Sequence, residues 1–147
     1  MSPSQEIKIL LVEDNPRDAE LTLRALQQNH VANQIVHVDD GQKALDWLHG
    51  VPAALGREPD PIPKVVLLDL KLPKISGLEV LAAIRSHPRT HRLPVVVLTS
   101  SREEQDVVES YKLGVNSYIV KPVEFENFAE AVIKAGIYWL IINEPPP

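Results

Sequence analysis

The sequence has 147 residues, of which 44% are apolar, and 20 acidic residues outweigh 15 basic ones to give a formal net charge of −5. A chain of this length can bury about 70% of its unfolded surface, so we expect one domain over 1–147 with its own core. The lack of cysteine excludes disulfides, thiolate nucleophiles and cysteine-based zinc sites, and the lack of a basic cluster argues against nucleic acid as a partner.

Nothing in the sequence predicts an association with a membrane. Residues 1–6 contain no basic stretch followed by an apolar one, so we see no signal peptide. The longest apolar run near the end of the chain, 137–142, is too short to cross a bilayer. Together with the absence of cysteine, these features lead us to expect a cytoplasmic protein.

Strand and helix patterns alternate five times along the chain. Short apolar, β-branched runs predict the strands, and apolar residues that recur every three or four positions predict the helices. Asn15 before Pro16 indicates a capped helix start, and so does Ser101 with Glu104 three residues later. The predicted order is strand 7–12, helix 16–29, strand 34–38, helix 41–49, strand 65–69, helix 77–85, strand 94–99, helix 101–113, strand 117–120 and helix 123–142.

Two segments stand outside this alternation. Residues 50–63 contain several prolines and glycines, which predicts a surface insertion, and the proline tail at 144–147 cannot continue a helix. We therefore place the core at about 7–142. The alternation itself predicts an α/β fold, a single doubly wound parallel sheet of five strands with five helices on its two faces.

Polar residues follow four of the five predicted strands. The third strand, apolar without alternation and so buried on both faces, ends in an acid. Because the carboxyl ends of parallel strands lie at one edge of the sheet, these side chains converge if the four strands are neighbours. They are Glu13 and Asp14 after the first strand, Asp69 at the end of the third, Thr99 and Ser100 at the end of the fourth, and Lys121 after the fifth.

These residue types suit the transfer of a phosphoryl group. Three neighbouring carboxylates repel one another, and a hard cation such as Mg²⁺, which prefers oxygen ligands, removes that repulsion. Asp69 is then a carboxylate nucleophile of the kind that forms an aspartyl phosphate. Taken singly, each residue also has a structural explanation, such as a turn acid, a helix-start acid or a loop lysine. Their occurrence at four strand ends favours a site.

In these residues the sequence resembles the receiver domain of two-component response regulators. That family carries an acidic pair after its first strand, an aspartate after the third, a threonine or serine after the fourth and Lys-Pro after the fifth. The resemblance implies a flavodoxin-like sheet with strand order 2-1-3-4-5. It also implies a single-domain response regulator that accepts a phosphoryl group from a sensor histidine kinase. Ser76 replaces the acid that usually precedes the glycine at 77, which we expect to be harmless in a loop.

The resemblance also implies a role for each residue of the edge. Asp69 is the expected phosphoacceptor, and Mg²⁺ or Mn²⁺ is expected on Asp14, Asp69 and the backbone carbonyl of Lys71, with Glu13 acting through water. Lys121 would precede a cis proline. The residues expected to stabilise the phosphoryl group or to switch with it are Thr99, Ser100, Lys121 and Tyr118, and those expected to set its lifetime are Lys71 and Ser101.

A narrower resemblance concerns the partners. The segments 12–16, 67–74, 118–123 and 138–140 are similar to those of stand-alone regulators paired with cyanobacterial and other bacterial phytochrome histidine kinases. The last helix carries more apolar residues than a surface helix normally shows. We therefore expect a homodimer through this helix, unless the tail covers it. The residues expected at this dimer surface are Phe128, Tyr138, Trp139 and Ile142.

Two other functions remain as alternatives. A flavodoxin-like cofactor binder would share the sheet, but no glycine-rich phosphate loop follows the first strand. A Mg²⁺-dependent phosphatase with an aspartate nucleophile usually carries a second acid two residues later, where this chain has Lys71. We therefore expect no enzymatic turnover beyond the protein's own phosphorylation and dephosphorylation.

Overall fold

The computed structural model describes residues 8–27, 35–50, 62–100, 112–137 and 141. No helix among these residues has the length and apolar character needed to cross a membrane. The predicted helix over 101–113 lies almost wholly outside them. The elements, in chain order, are β1 (Ile9–Val12), α1 (Pro16–Gln27), β2 (Ile35–Val38), α2 (Gly41–His49), β3 (Val65–Asp69), α3 (Gly77–Ser86), β4 (Val95–Thr99), β5 (Ser117–Val120) and α4 (Phe125–Lys134).

The five strands form one parallel sheet in the order β2-β1-β3-β4-β5, as predicted. The central strands are buried on both faces, which explains their unbroken apolar runs. Along β1, Ile9 and Leu11 pack into a core shared with α1 and α4, while Leu10 and Val12 pack into a second core shared with α2 and α3. Because successive side chains of a strand point to opposite faces of the sheet, alternate residues of β1 belong to the two different cores.

Side-chain caps fix where the helices begin. The Asn15 carboxamide oxygen accepts the N–H groups of Arg17 and Asp18 at the start of α1. Ser76 and Glu79 form a reciprocal capping box at the start of α3. Ser76 is thus more than a harmless loop residue, because it satisfies a backbone donor of the helix that follows the third strand.

The last helix is shorter than predicted. Gly136 has a φ of 74°, which lies in the left-handed region, and α4 ends at Lys134. The Gly136 N–H donates to the Ile133 carbonyl and the Ile137 N–H to the Val132 carbonyl, which is the Schellman pattern of a helix end. Beyond this break, Ile137 and Ile141 are buried in the core beside α1 and α4.

The structure changes the predicted dimer surface. Phe128 is fully buried in the core, so it cannot contribute to a contact between two folded copies. Ile133 of the same helix is 40% exposed. The helix carries apolar residues on more than one side, and its sequence alone does not say which side the sheet covers. Tyr138, Trp139 and Ile142 lie outside the described residues, as does Ser101.

Candidate functional site

The register of the sheet brings the strand ends together. Val12 of β1 pairs with Leu68 of β3, and Asp69 pairs with Leu98 of β4. The residues that follow therefore share one edge. Glu13, Asp14 and Asp69 each place a carboxylate oxygen within 4.8 Å of the other two. Glu13 and Asp69 are buried, whereas Asp14 is exposed and open to solvent.

Lys121 enters this group of acids from the end of β5. Its ammonium nitrogen lies 2.5 Å from Glu13 Oε1 and 3.4 Å from Asp69 Oδ2. One more acid, Asp18 on the first turn of α1, also contacts Lys121, with its Oδ2 at 3.1 Å from the ammonium nitrogen. The Lys121 backbone N–H donates to the Thr99 carbonyl at 2.7 Å, and the Lys121–Pro122 peptide bond is cis, as the resemblance implied.

The pKa values of Glu13 and Lys121 are both raised, for different reasons. Burial is the main reason that the pKa of Glu13 is raised to about 7, the contact with Lys121 only partly opposes burial, and the nearby Asp69 acts in the same direction as burial. For Lys121, burial lowers the pKa, but the hydrogen bond to Glu13 and the charge of Asp69 outweigh burial and raise it overall. Since Glu13, Asp14 and Asp69 together outnumber the one ammonium beside them, the site can accept additional positive charge.

The donor set fits a hard divalent cation. Three carboxylates offer oxygen ligands, the type that Mg²⁺ and Mn²⁺ prefer in proteins. The Lys71 backbone N–H donates to Asp69 Oδ1 at 3.2 Å, so the chain after β3 folds closely around the Asp69 carboxylate. Burial, and to a lesser extent the neighbouring Asp69, raises the pKa of Glu13, and a bound cation would favour the charged form of this carboxyl again.

The predicted switch residues lie at different depths. Thr99 is buried at the end of β4, on the strand next to Asp69, and Ser100 beside it is exposed. Tyr118 of β5 is 38% exposed and lines an open groove with residues of α4, among them Asn127 and Glu130. The structure thus brings Thr99 to the edge with the acids, while Tyr118 lies at the surface of the last strand.

Sequence reasoning missed two contacts of this site. Asp18 meets Lys121 across a separation of 103 positions, which no local pattern could indicate. His37, on the edge strand β2, donates from Nε2 to the Glu13 carbonyl at 2.8 Å. From the sequence alone, a histidine in a partly exposed strand looks like a solvent-facing residue. Its contact with Glu13 can be expected only once β2 is known to pair with β1.

Comparison with known proteins supports the resemblance. A family model described as the response regulator receiver domain matches residues 9–133. The probable methanogenesis regulatory protein FilR2 of Methanothrix harundinacea is 42% identical over 138 residues, 94% of this chain and 86% of its own length. Response regulator Rcp1 of Synechocystis is 39% identical over 132 residues, 90% of this chain and 88% of its own.

Solved structures agree with this grouping. The bacteriophytochrome response regulator AtBRR superposes with a TM-score of 0.81 at 53% identity, covering 95% of this chain and 99% of its own. The Mn²⁺-bound form of Rcp1 gives a TM-score of 0.71 at 35% identity over 96% of this chain and 99% of its own. Both likenesses extend over nearly the whole chain.

Proposed function

The chain belongs to the response regulator receiver domain family, and from this premise we propose that Asp69 accepts a phosphoryl group from the phosphohistidine of a sensor histidine kinase. The observation that carries the proposal is the buried Asp69 carboxylate, which shares the Lys121 ammonium with Glu13 beside an exposed third acid. The Asp69 carboxylate can act as the nucleophile, and the Lys121 ammonium beside it supplies positive charge that stabilises the phosphoryl oxygens during transfer.

The transfer is a displacement at phosphorus. An Asp69 carboxylate oxygen attacks the phosphorus atom, a P–O bond forms and the P–N bond of the phosphohistidine breaks. The electron pair of that bond stays on the kinase imidazole, which takes up a proton. The Lys121 ammonium pairs with the phosphoryl oxygens as Asp69 gains them.

Asp14, Asp69 and the backbone carbonyl of Lys71 would hold Mg²⁺ or Mn²⁺, and Glu13 would reach it through water. Such a cation, when bound, supplies positive charge that offsets the phosphoryl oxygens. The structure of Rcp1 with Mn²⁺ supports this assignment by relationship, and the three clustered carboxylates support it by chemistry.

The phosphoryl group then changes the surface. The Thr99 hydroxyl turns to donate to a phosphoryl oxygen, with Ser100 next to it on the exposed side. Tyr118 moves inward from its solvent-exposed position to fill the space that Thr99 leaves. Lys71 and Ser101 each lie two positions after a residue of the site, Asp69 and Thr99, and their side chains set how quickly water removes the phosphoryl group.

Exposure of the protein to acetyl phosphate and Mg²⁺ tests this function. Wild type should gain one phosphoryl group in intact mass, and Asp69→Asn should gain none. Asp39→Asn is the matched control, because Asp39 also follows a strand at this edge but pairs with Lys43 instead of Lys121. Phosphorylation of Asp69→Asn at the wild-type rate would refute the assignment, and steady turnover of a chromogenic phosphate ester would favour the phosphatase alternative.

The kinase is proposed to be of the phytochrome type. The 53% identity to a bacteriophytochrome response regulator over nearly the whole chain supports this. FilR2, at 42% identity, carries the name of a methanogenesis regulator, so the kinase class needs a direct test. Label transfer from a purified phytochrome kinase should be much faster than from an unrelated histidine kinase, and equal rates would contradict the pairing.

A homodimer through the end of the chain remains part of the proposal, without Phe128. Tyr138, Trp139 and Ile142 are its expected residues, and the exposed Ile133 and Tyr118 add apolar surface on α4 and β5. Sedimentation should show a dimer at tens of micromolar protein. A strict monomer, with and without phosphorylation, would remove the dimer from the account.

A further inference from the structure

Lys121 has three N–H donors, and three carboxylates already surround them. Glu13 Oε1 lies at 2.5 Å, Asp18 Oδ2 at 3.1 Å and Asp69 Oδ2 at 3.4 Å from the ammonium nitrogen. We propose that Asp18 is a positioning residue for Lys121, which it holds beside Asp69 before phosphorylation and releases when the phosphoryl group arrives. This inference rests on the proposed function of Asp69.

A phosphoryl group on Asp69 needs donors from Lys121, so one existing contact must give way. Glu13 is fully buried, and removal of its lysine partner would leave a buried charge unpaired, which is costly. Asp69 itself carries the new group. The Asp18 side chain is 35% exposed, so water can replace the ammonium there at little cost. Asp18 is therefore the partner that Lys121 leaves.

The charge of Asp18 acts in the same direction. While Asp18 stays next to Lys121, its negative charge repels the phosphoryl oxygens that approach the same ammonium. A separate role for Asp18 also exists, because an acid in the first turn of α1 interacts favourably with the helix N-terminus. That local role requires no contact with Lys121, and it predicts no effect of Asp18 on binding at Asp69.

The release changes one face of the molecule. Asp18 borders a shallow cleft together with Leu21 of α1 and the residues Pro122 and Val123 that follow Lys121. Leu21 is 40% exposed, so this face has apolar contact area next to the ion pair. Once Lys121 turns toward the phosphoryl group, the cleft presents the Asp18 carboxylate without its ammonium partner.

Beryllium trifluoride, an anion that mimics a phosphoryl group on a carboxylate, provides the test. Its affinity is measured by calorimetry in saturating Mg²⁺, so that differences in metal binding do not contribute. We expect Asp18→Asn to bind it about 2- to 5-fold more tightly than wild type, the range typical for removal of one partly exposed ion pair. Asp18→Glu, which keeps the charge, should stay close to wild type.

Glu20→Gln is the matched control, since Glu20 lies on the same helix and pairs with Arg24 at the surface. Its affinity should equal that of wild type. The measurement is repeated at about 0.5 M salt, where charges without contact are largely screened. Persistence of the Asp18→Asn effect supports the contact with Lys121. An unchanged or weaker affinity, or an effect lost at high salt, would overturn the inference.

Two further measurements separate this inference from the proposed function and from a folding defect. If wild type binds the anion and Asp69→Asn does not, the phosphoacceptor assignment stands whatever Asp18 does. In a crystal structure of the wild-type complex, the distance from Lys121 Nζ to Asp18 Oδ2 should exceed about 4 Å, the usual limit of an ion pair, while the contact with Glu13 remains. A distance still near 3.1 Å would refute the release even if no variant folded.

Discussion

Gly77 at the start of α3 lies directly against the main chain of Asp69. A Cβ at Gly77 would overlap the Asp69 carbonyl oxygen and the Leu70 Cα, and the Gly77 N–H donates to the Leu70 carbonyl at 2.9 Å. The start of α3 can therefore approach the main chain of Asp69 and Leu70 this closely only because position 77 has no side chain. The position of the proposed phosphoacceptor depends on that contact.

The substitution Gly77→Ala should destabilise the protein by about 2 to 4 kcal/mol, because backbone atoms must move to admit the methyl group. It should also slow phosphorylation by acetyl phosphate, since Asp69 moves with its main chain. Urea denaturation measures the first effect. Gly136→Ala is the control, because φ is 74° there but a Cβ added at this position would have nothing within 4 Å. It should lower the free energy of unfolding by about 1 to 2 kcal/mol. A smaller loss at Gly77 than at Gly136 would contradict this packing account.

Magnesium should stabilise the fold through Asp14. A ligand present at about ten times its Kd stabilises the folded state by about 1.4 kcal/mol, so Mg²⁺ should raise the Tm of wild type and of Asp39→Asn. Asp14→Asn should lose most of this increase. In metal-free buffer it should be at least as stable as wild type, because one of three repelling carboxylates is gone. An equal increase in Asp14→Asn would exclude Asp14 as a ligand.

Arg85 hydrogen-bonds to the segments that precede β4 and β5, at the end of the sheet opposite the site. Its guanidinium donates to the carbonyl oxygens of Leu113, Leu93 and Gly114 at 3.1, 2.7 and 2.7 Å. Arg85→Met should cost about 2 to 4 kcal/mol, because these carbonyls lose a charged donor. Arg24→Met, which breaks an exposed ion pair with Glu20, should cost less than about 1 kcal/mol. Chemical denaturation that gives equal losses would refute the special role of Arg85.

His49 should make the fold sensitive to mild acid. Its ring stacks on His87 with centroids 3.9 Å apart, and its Nε2 lies 2.8 Å from Thr90 Oγ1. Because the Thr90 hydroxyl donates to the Ile84 carbonyl, the histidine nitrogen is the donor in this contact. Burial lowers the pKa of His49, and the charges of His87 and Arg89 lower it further. The unfolded chain therefore binds the proton more readily, so stability is fully present above a pH of about 6.5 and falls below it.

The unfolding free energy of wild type should accordingly decrease more between about pH 7.5 and pH 5.5 than that of His49→Gln, since the glutamine has no proton to gain. Gln also keeps a donor for Thr90, so the two proteins should have similar stability at the higher pH. Parallel pH profiles for the two proteins would show that His49 does not contribute.

The strands and the converging edge could be predicted from the sequence because their signals are local. A run such as 65–68, short and apolar without alternation, favours a strand covered on both faces, and the acid that follows it then lies at the sheet edge. Parallel topology then brings the other strand ends to the same place. Local patterns and one rule of topology are therefore enough to assemble residues that are far apart in the chain.

Long-range contacts and the phase of the last helix could not be predicted in this way. The pairing of Asp18 with Lys121 depends on where the first turn of α1 lies relative to the residue that follows β5. The N–H groups of Arg85 donate to backbone carbonyls, and every residue has a carbonyl, so the sequence does not indicate which of them are bound. The prediction of Phe128 at the surface is wrong because α4 is apolar on more than one side. Gly136 does carry a signal, since glycine favours a helix end, but the apolar residues after it suggest a longer helix.

The most direct test of the central claim is to locate the phosphoryl group. Borohydride reduces an aspartyl phosphate to homoserine, and peptide mass spectrometry then identifies the residue. After treatment with acetyl phosphate and Mg²⁺, homoserine should be found at position 69 and should be absent when either reagent is omitted. Homoserine at another acid, or an unmodified Asp69 in a protein whose mass has risen by one phosphoryl group, would contradict the account.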